Sequence, residues 1–129
     1  MSFIKWSSKD KLGISSIDKQ HKEIYEIVNN LHDLKDESKT KISKQYKVLL
    51  SKFKEHFETE EDFMKKNNVL SLFSHKLEHE RALAKYSTYF EQYQSSKEPF
   101  DDEILQSLKT WLVNHAEMKD NKLKQYAKK

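Results

Sequence analysis

His21, His56, Glu60, His75, His79, His115 and Asp120 are five imidazoles and two carboxylates, most of them spaced by the turn of a helix. The chain has 6 histidines, so every one but His32 belongs to this pattern. Residues four apart on a helix hold their Cβ atoms about 5–6 Å apart on one face. His75 with His79 can therefore chelate one ion, and His56 with Glu60 offers an imidazole plus a carboxylate. Neutral imidazoles and carboxylates suit first-row divalent ions, with iron, manganese, cobalt and zinc all compatible. Two carboxylates able to bridge imply two metals, with the imidazoles divided three and two. Histidine and carboxylate side chains are seldom fully buried unless paired or metal-bound, so a core-facing cluster needs a cause. The cause inferred is a two-metal site. A single core-facing histidine is more often a satisfied packing residue, and only the seven together favour ligation.

Four helices must bring these residues together. Helix A is expected over about 17–36, with Ser15 and Asp18 spaced as a capping-box variant and a stripe of Ile17, His21, Ile24, Val28 and Leu31. Helix B, about 41–66, carries Ile42, Tyr46, Leu49, Phe53, His56, Glu60 and Phe63. Helix C, about 71–94, carries Leu72, His75, His79, Ala82, Tyr86, Tyr89 and Tyr93. Helix D, about 101–126, follows Pro99 and carries Ile104, Leu108, Trp111 and His115. Such seams pack antiparallel bundles, and short linkers make neighbours antiparallel. The starts of A and C and the ends of B and D then share one end, where all seven residues converge. His115 and Asp120 are five apart, about 140° around an ideal helix, so a π-type widening is expected between them.

Composition agrees with this architecture. The 129 residues include one Gly (Gly13) and one Pro (Pro99), which disfavours turn-rich β folds and favours one all-α, up-down-up-down four-helix domain over 1–129. A non-helical arm of about 16 residues precedes it, with Phe3 and Trp6 expected to pack it over the bundle. No cysteine is present, so disulfides, thiolate ligands and iron–sulfur clusters are excluded. No apolar run reaches the roughly 18 residues that span a bilayer, and the N-terminus has no apolar signal-peptide core. These features give the expectation of a cytoplasmic protein with no membrane partner. The net charge of +3 is spread over interspersed basic and acidic residues, which argues against nucleic-acid binding. The tyrosines Tyr25, Tyr46, Tyr86, Tyr89 and Tyr93 read as packing residues. Glu58, Glu61, Asp62, Glu78 and Glu80 read as solvated faces, with support of a ligand by one of them as the lesser alternative, and His32 as a flank residue.

No Glu-x-x-His motif of the carboxylate-rich di-iron oxidases occurs. An imidazole-rich set leans towards reversible dioxygen binding over oxidation chemistry. The motifs Ile17-Asp18-Lys19-Gln20-His21, His56-x-x-x-Glu60, His75-x-x-x-His79 and Trp111-x-x-x-His115-x-x-x-x-Asp120, in this order, resemble the hemerythrin family and its single-domain bacterial members. The resemblance implies a non-haem centre of two iron ions, joined by an oxo or hydroxo bridge, that binds O2 reversibly. It implies that His75, His79 and His115 hold one iron and His21 and His56 the other, with Glu60 and Asp120 bridging. Ile24, Phe57, Trp111 and Leu112 are then candidates for the lining of the oxygen pocket. Ala116 departs from the larger aliphatic residue that relatives often carry after the last histidine.

The expected function is oxygen storage, delivery or scavenging without turnover, and the resemblance implies a monomer. The rivals are an oxygen or redox sensor acting through a separate signalling partner, a nitric oxide or peroxide reductase fed by a reductase partner, and a metal buffer.

Overall fold

The structure, a computed structural model, describes residues 3–6, 11–118 and 120–127, with side chains except at positions 117, 118, 120, 121, 124 and 127. Four long helices account for most of it: α1 (Ser15–Leu34), α2 (Lys39–Lys66), α3 (Leu72–Ser95) and α4 (Asp102–Met118). They form an all-α four-helix bundle. A 3-10 turn (Asp120–Leu123) and the short α5 (Lys124–Ala127) follow.

Local chemistry explains the boundaries. The Ser38 hydroxyl accepts from the Lys41 amide at the start of α2, and the Asp101 carboxylate accepts from the Glu103 amide at the start of α4. At the end of α2, Asn68 adopts a left-handed conformation (φ 53°). Its N–H donates to the Lys65 carbonyl at 3.3 Å, and the Val69 N–H donates to Met64 at 3.0 Å. These two bonds make a Schellman stop. The start of α1 departs from the expected capping box. Ser15 already lies inside the helix, and Ile14 precedes it without a side-chain cap. Asp18 instead accepts from the amides of Leu12 (2.7 Å) and Gly13 (3.0 Å), folding the approach to the helix back over its first turn.

The expected stripes of α1 and α2 are buried, except that Met64 replaces Phe63 at the last position. Helix α4 is rotated slightly from expectation, with two of its four stripe positions shifted by one residue. Leu105, Leu108, Leu112 and His115 are buried, while Ile104 and Trp111 flank that face. Helix D is also shorter than read from sequence, because α4 ends at Met118. The π-type widening does not appear among the described residues. The chain tightens into a 3-10 turn from Asp120, and Lys119 lies outside the described residues.

Two apolar clusters result. The larger joins Ile24, Val28, Leu31, Tyr46, Leu49, Phe53, Tyr86, Leu105 and Leu108 with their neighbours. The smaller holds Leu12, Ile17, Met64, Val69 and Leu123. The arm packs on the larger cluster through Phe3, Ile4 and Trp6. Its Ile4 backbone exchanges two hydrogen bonds with the Asn29 side chain, and Phe3 stacks on His32 at 4.5 Å. His32 is therefore a flank residue that anchors the arm.

Candidate metal centre

A polar layer separates the two apolar clusters. Ile17 lies one turn before His21 on α1, and Met64 one turn after Glu60 on α2, so the smaller cluster closes the end of the bundle beneath the histidines. His21, His56, Glu60, His75, His79 and His115 are all buried, with Glu60 fully so. The structure thus brings six of the seven sequence-derived candidates together. The side chain of the seventh, Asp120, lies outside the described residues.

Glu60 is the hub, and its two oxygens divide the imidazoles. Oε1 faces His75 Nε2 at 2.9 Å, His79 Nε2 at 3.4 Å and His115 Nε2 at 3.6 Å. Oε2 faces His21 Nε2 at 3.5 Å and also meets His56 Nε2. Two donor groups follow, Glu60–His75–His79–His115 and His21–His56–Glu60, each with its ligand atoms within 4.8 Å of one another. Burial alone would push the Glu60 carboxyl up. The charge of His56 and hydrogen bonds from His115, His21 and His56 outweigh that and hold it well below the usual carboxylate range.

The donor set fits metal ions. His79 Nε2 and His115 Nε2 face each other at 3.3 Å, where at most one proton can sit between two lone pairs. Among the described side chains, five imidazoles gather on the Glu60 carboxylate, a set of nitrogen and oxygen donors that divalent cations would suit.

Two histidines are also oriented from behind. His56 Nδ1–H donates to Gln20 Oε1 at 3.0 Å, and His79 Nδ1–H donates to Glu61 Oε2 at 2.8 Å. Gln20 is itself held by Nε2–H to Thr59 Oγ1 at 3.0 Å, and Thr59 donates to the Glu55 carbonyl. Each bond fixes the tautomer that aims Nε2 inward, the usual support for a metal-binding histidine. Glu61 fills the lesser alternative allowed to one of the five acids that read as solvated faces, while the sequence singled out neither Gln20 nor Thr59 for this role. Gln20 and Thr59 lie off the apolar stripes, and no spacing rule marks them.

Aromatic rings wall the layer. Phe57 stacks on His79 with centroids 4.0 Å apart and planes within 6°. Trp111 stacks on His115 at 4.5 Å and meets Phe57 edge-on at 5.8 Å. Ile24 and Leu112 are buried in the adjoining core. Between α3 and α4 a solvent-open groove of about 600 Å³ reaches Trp111 and His115, bordered also by Glu78, Lys85, Ser107 and Thr110.

Known proteins resemble this chain. The family described as "Hemerythrin HHE cation binding domain" matches residues 12–127. Bacteriohemerythrin of Clostridium acetobutylicum is 29% identical over 122 residues, covering 89% of this chain and 94% of the relative. Bacteriohemerythrin of Pseudomonas aeruginosa strain PAO1 is 32% identical over 116 residues, covering 89% and 75%. Myohemerythrin of Theromyzon tessulatum is 29% identical over 119 residues, covering 92% and 89%. A crystal structure of a leucine-to-tyrosine mutant of hemerythrin superposes with a TM-score of 0.91 at 24% identity, covering 98% of each chain. The wild-type hemerythrin structure gives 0.89 at 25% identity, covering 96% and 97%.

Proposed function

The chain belongs to the hemerythrin family, and from that premise and the geometry around Glu60 we propose that it binds dioxygen reversibly at two non-haem iron ions. The observation that carries this reading is the division of imidazoles by one carboxylate, three at Oε1 and two at Oε2. His75, His79 and His115 would hold one ion and His21 and His56 the other, with Glu60 shared between them. Asp120 is the proposed second bridge. The set with two imidazoles has fewer protein donors and would leave a position open to a small molecule. When bound, a ferrous pair supplies the electrons and the open coordination position that dioxygen requires.

The protein's own part is orientation and exclusion of water. Gln20 and Glu61 hold the rings of His56 and His79 with their Nε2 atoms inward. Phe57 and Trp111 lie flat against His79 and His115 and shield the layer, with Ile24 and Leu112 behind them. Where these apolar side chains cover the layer they limit proton delivery, which favours release of oxygen intact. The solvent-open groove gives water an approach at Trp111 and His115. Residues 1–129 would act as one unit, for storage, delivery or scavenging and without turnover.

Anaerobic loading with ferrous iron, followed by absorption spectra through cycles of admitting and removing O2, tests this reading. A visible charge-transfer band that appears with O2 and disappears on its removal is the expected result. Irreversible oxidation at the first exposure would overturn it.

A further inference from the structure

The end of the bundle nearest the histidines carries a tip whose side chains the centre does not use. The Schellman stop of α2 turns Val69 inward, onto Met64 and Leu123. The next residue, Leu70, then faces outward and is 100% exposed, and Phe73 in the first turn of α3 is 77% exposed. Further backbone bonds pin this turn, from the Leu72 N–H to the Val69 carbonyl at 3.2 Å and from the His75 N–H to Ser71 at 3.0 Å. The protrusion is thus built into the backbone. Single exposed apolar residues are ordinary, but a fixed pair on a convex tip is less so.

Within the tip segment itself, residues 63–77, the charge has one sign. No Asp or Glu lies between Asp62 and Glu78, while Lys65, Lys66 and Lys76 in that stretch are exposed. Other segments reach the same end through the smaller apolar cluster. Leu12 brings exposed Lys11, and Leu123 brings exposed Lys122. The acidic Asp18 of that region is buried and turned onto the amides of Leu12 and Gly13.

We infer that this tip docks on an anionic lipid bilayer, with Leu70 and Phe73 entering the boundary between headgroups and acyl chains and Lys65, Lys66 and Lys76 meeting headgroup phosphates. No helix of the described residues is long and apolar enough to cross a membrane, but resting on one needs only buried apolar area and attraction to anionic lipid. A protein partner of standard size needs a broad complementary face, about 800 Å² per side, whereas two protruding side chains suit a deformable surface. A second copy of the chain would bring lysines against lysines. The inference is independent of what the histidine layer holds.

Sedimentation of the iron-loaded protein with vesicles of phosphatidylcholine alone, or mixed with phosphatidylglycerol, tests it. The protein should pellet with the mixed vesicles and not with the neutral ones, and high salt should weaken the binding. The variant Leu70→Ser/Phe73→Ser should bind about tenfold more weakly or worse, with unchanged melting temperature and iron content because both side chains are exposed. Phe73→Trp should show a blue-shifted emission with the mixed vesicles only. Failure to pellet with anionic vesicles, or equal pelleting by the double variant, would overturn the inference. Self-association of the wild type that the double variant abolishes, without vesicle binding, would assign the tip to a second copy and also overturn it.

Discussion

Helix α2 runs through two unlike regions of one core. Towards its start, Ile42, Tyr46, Leu49 and Phe53 pack in an apolar cluster in which the hydroxyls of Tyr46 and Tyr86 are matched within the protein. The Tyr46 hydroxyl donates to the Tyr86 carbonyl at 2.7 Å, and the Tyr86 hydroxyl meets Ser107 at 2.9 Å. Towards its end, the same stripe carries His56 and Glu60, where five imidazoles converge on one carboxylate. The first region is held by packing and a few internal hydrogen bonds. The second gathers nitrogen and oxygen donors that divalent cations would suit. A buried layer of this kind costs stability until the metal arrives.

The sharpest way to break that contrast is Glu60→Ala. Removing the shared carboxylate should reduce bound iron from two ions to one or none, as read by metal analysis after desalting. Retention of two would show that the hub is dispensable. Leu49→Ala makes the opposite lesion, in the apolar region. It should cost about 2–5 kcal/mol in denaturant unfolding, with iron content unchanged. Metal removal should act on the histidine layer alone. With iron at about a thousand times its dissociation constant, each site adds about 4 kcal/mol, so the metal-free protein should melt clearly lower.

Smaller effects sharpen the comparison. Gln20→Ala and Glu61→Ala should each weaken iron binding about 10–100-fold while leaving the unfolding of the metal-free protein nearly unchanged. In the apolar region the readout is alkaline pH. Burial pushes the hydroxyls of Tyr46, Tyr86 and Tyr93 up, with neighbouring tyrosines adding to the effect at Tyr46 and Tyr86. Above about pH 10 the unfolded tyrosines lose protons that the folded ones keep. Stability should therefore fall as pH rises through that range. Tyr46→Phe should flatten the decline, measured by thermal melts from neutral to alkaline pH.

Much of this was legible in the sequence because both regions are written in the same helical period. His21, His56, Glu60, His75, His79 and His115 take positions that an apolar residue would otherwise fill, so periodicity marked them and antiparallel order brought them to one level. The rotation of α4 was not legible. Ile104 and Leu105, like Trp111 and Leu112, are adjacent large apolar residues, and only packing decides which member faces inward. Which residues orient the histidines was hidden for another reason. Glu61 supports a histidine on a different helix, an arrangement that spacing along one helix does not encode. The expected widening after His115 falls on a stretch that includes Lys119, which lies outside the described residues, and from Asp120 the chain forms a 3-10 turn.

The most direct test of the central claim is an anaerobic titration of the metal-free protein with ferrous iron, followed to saturation with iron and protein quantified independently. The division of imidazoles at Glu60 predicts two irons per chain. Saturation at one iron, or no stoichiometric uptake, would contradict it.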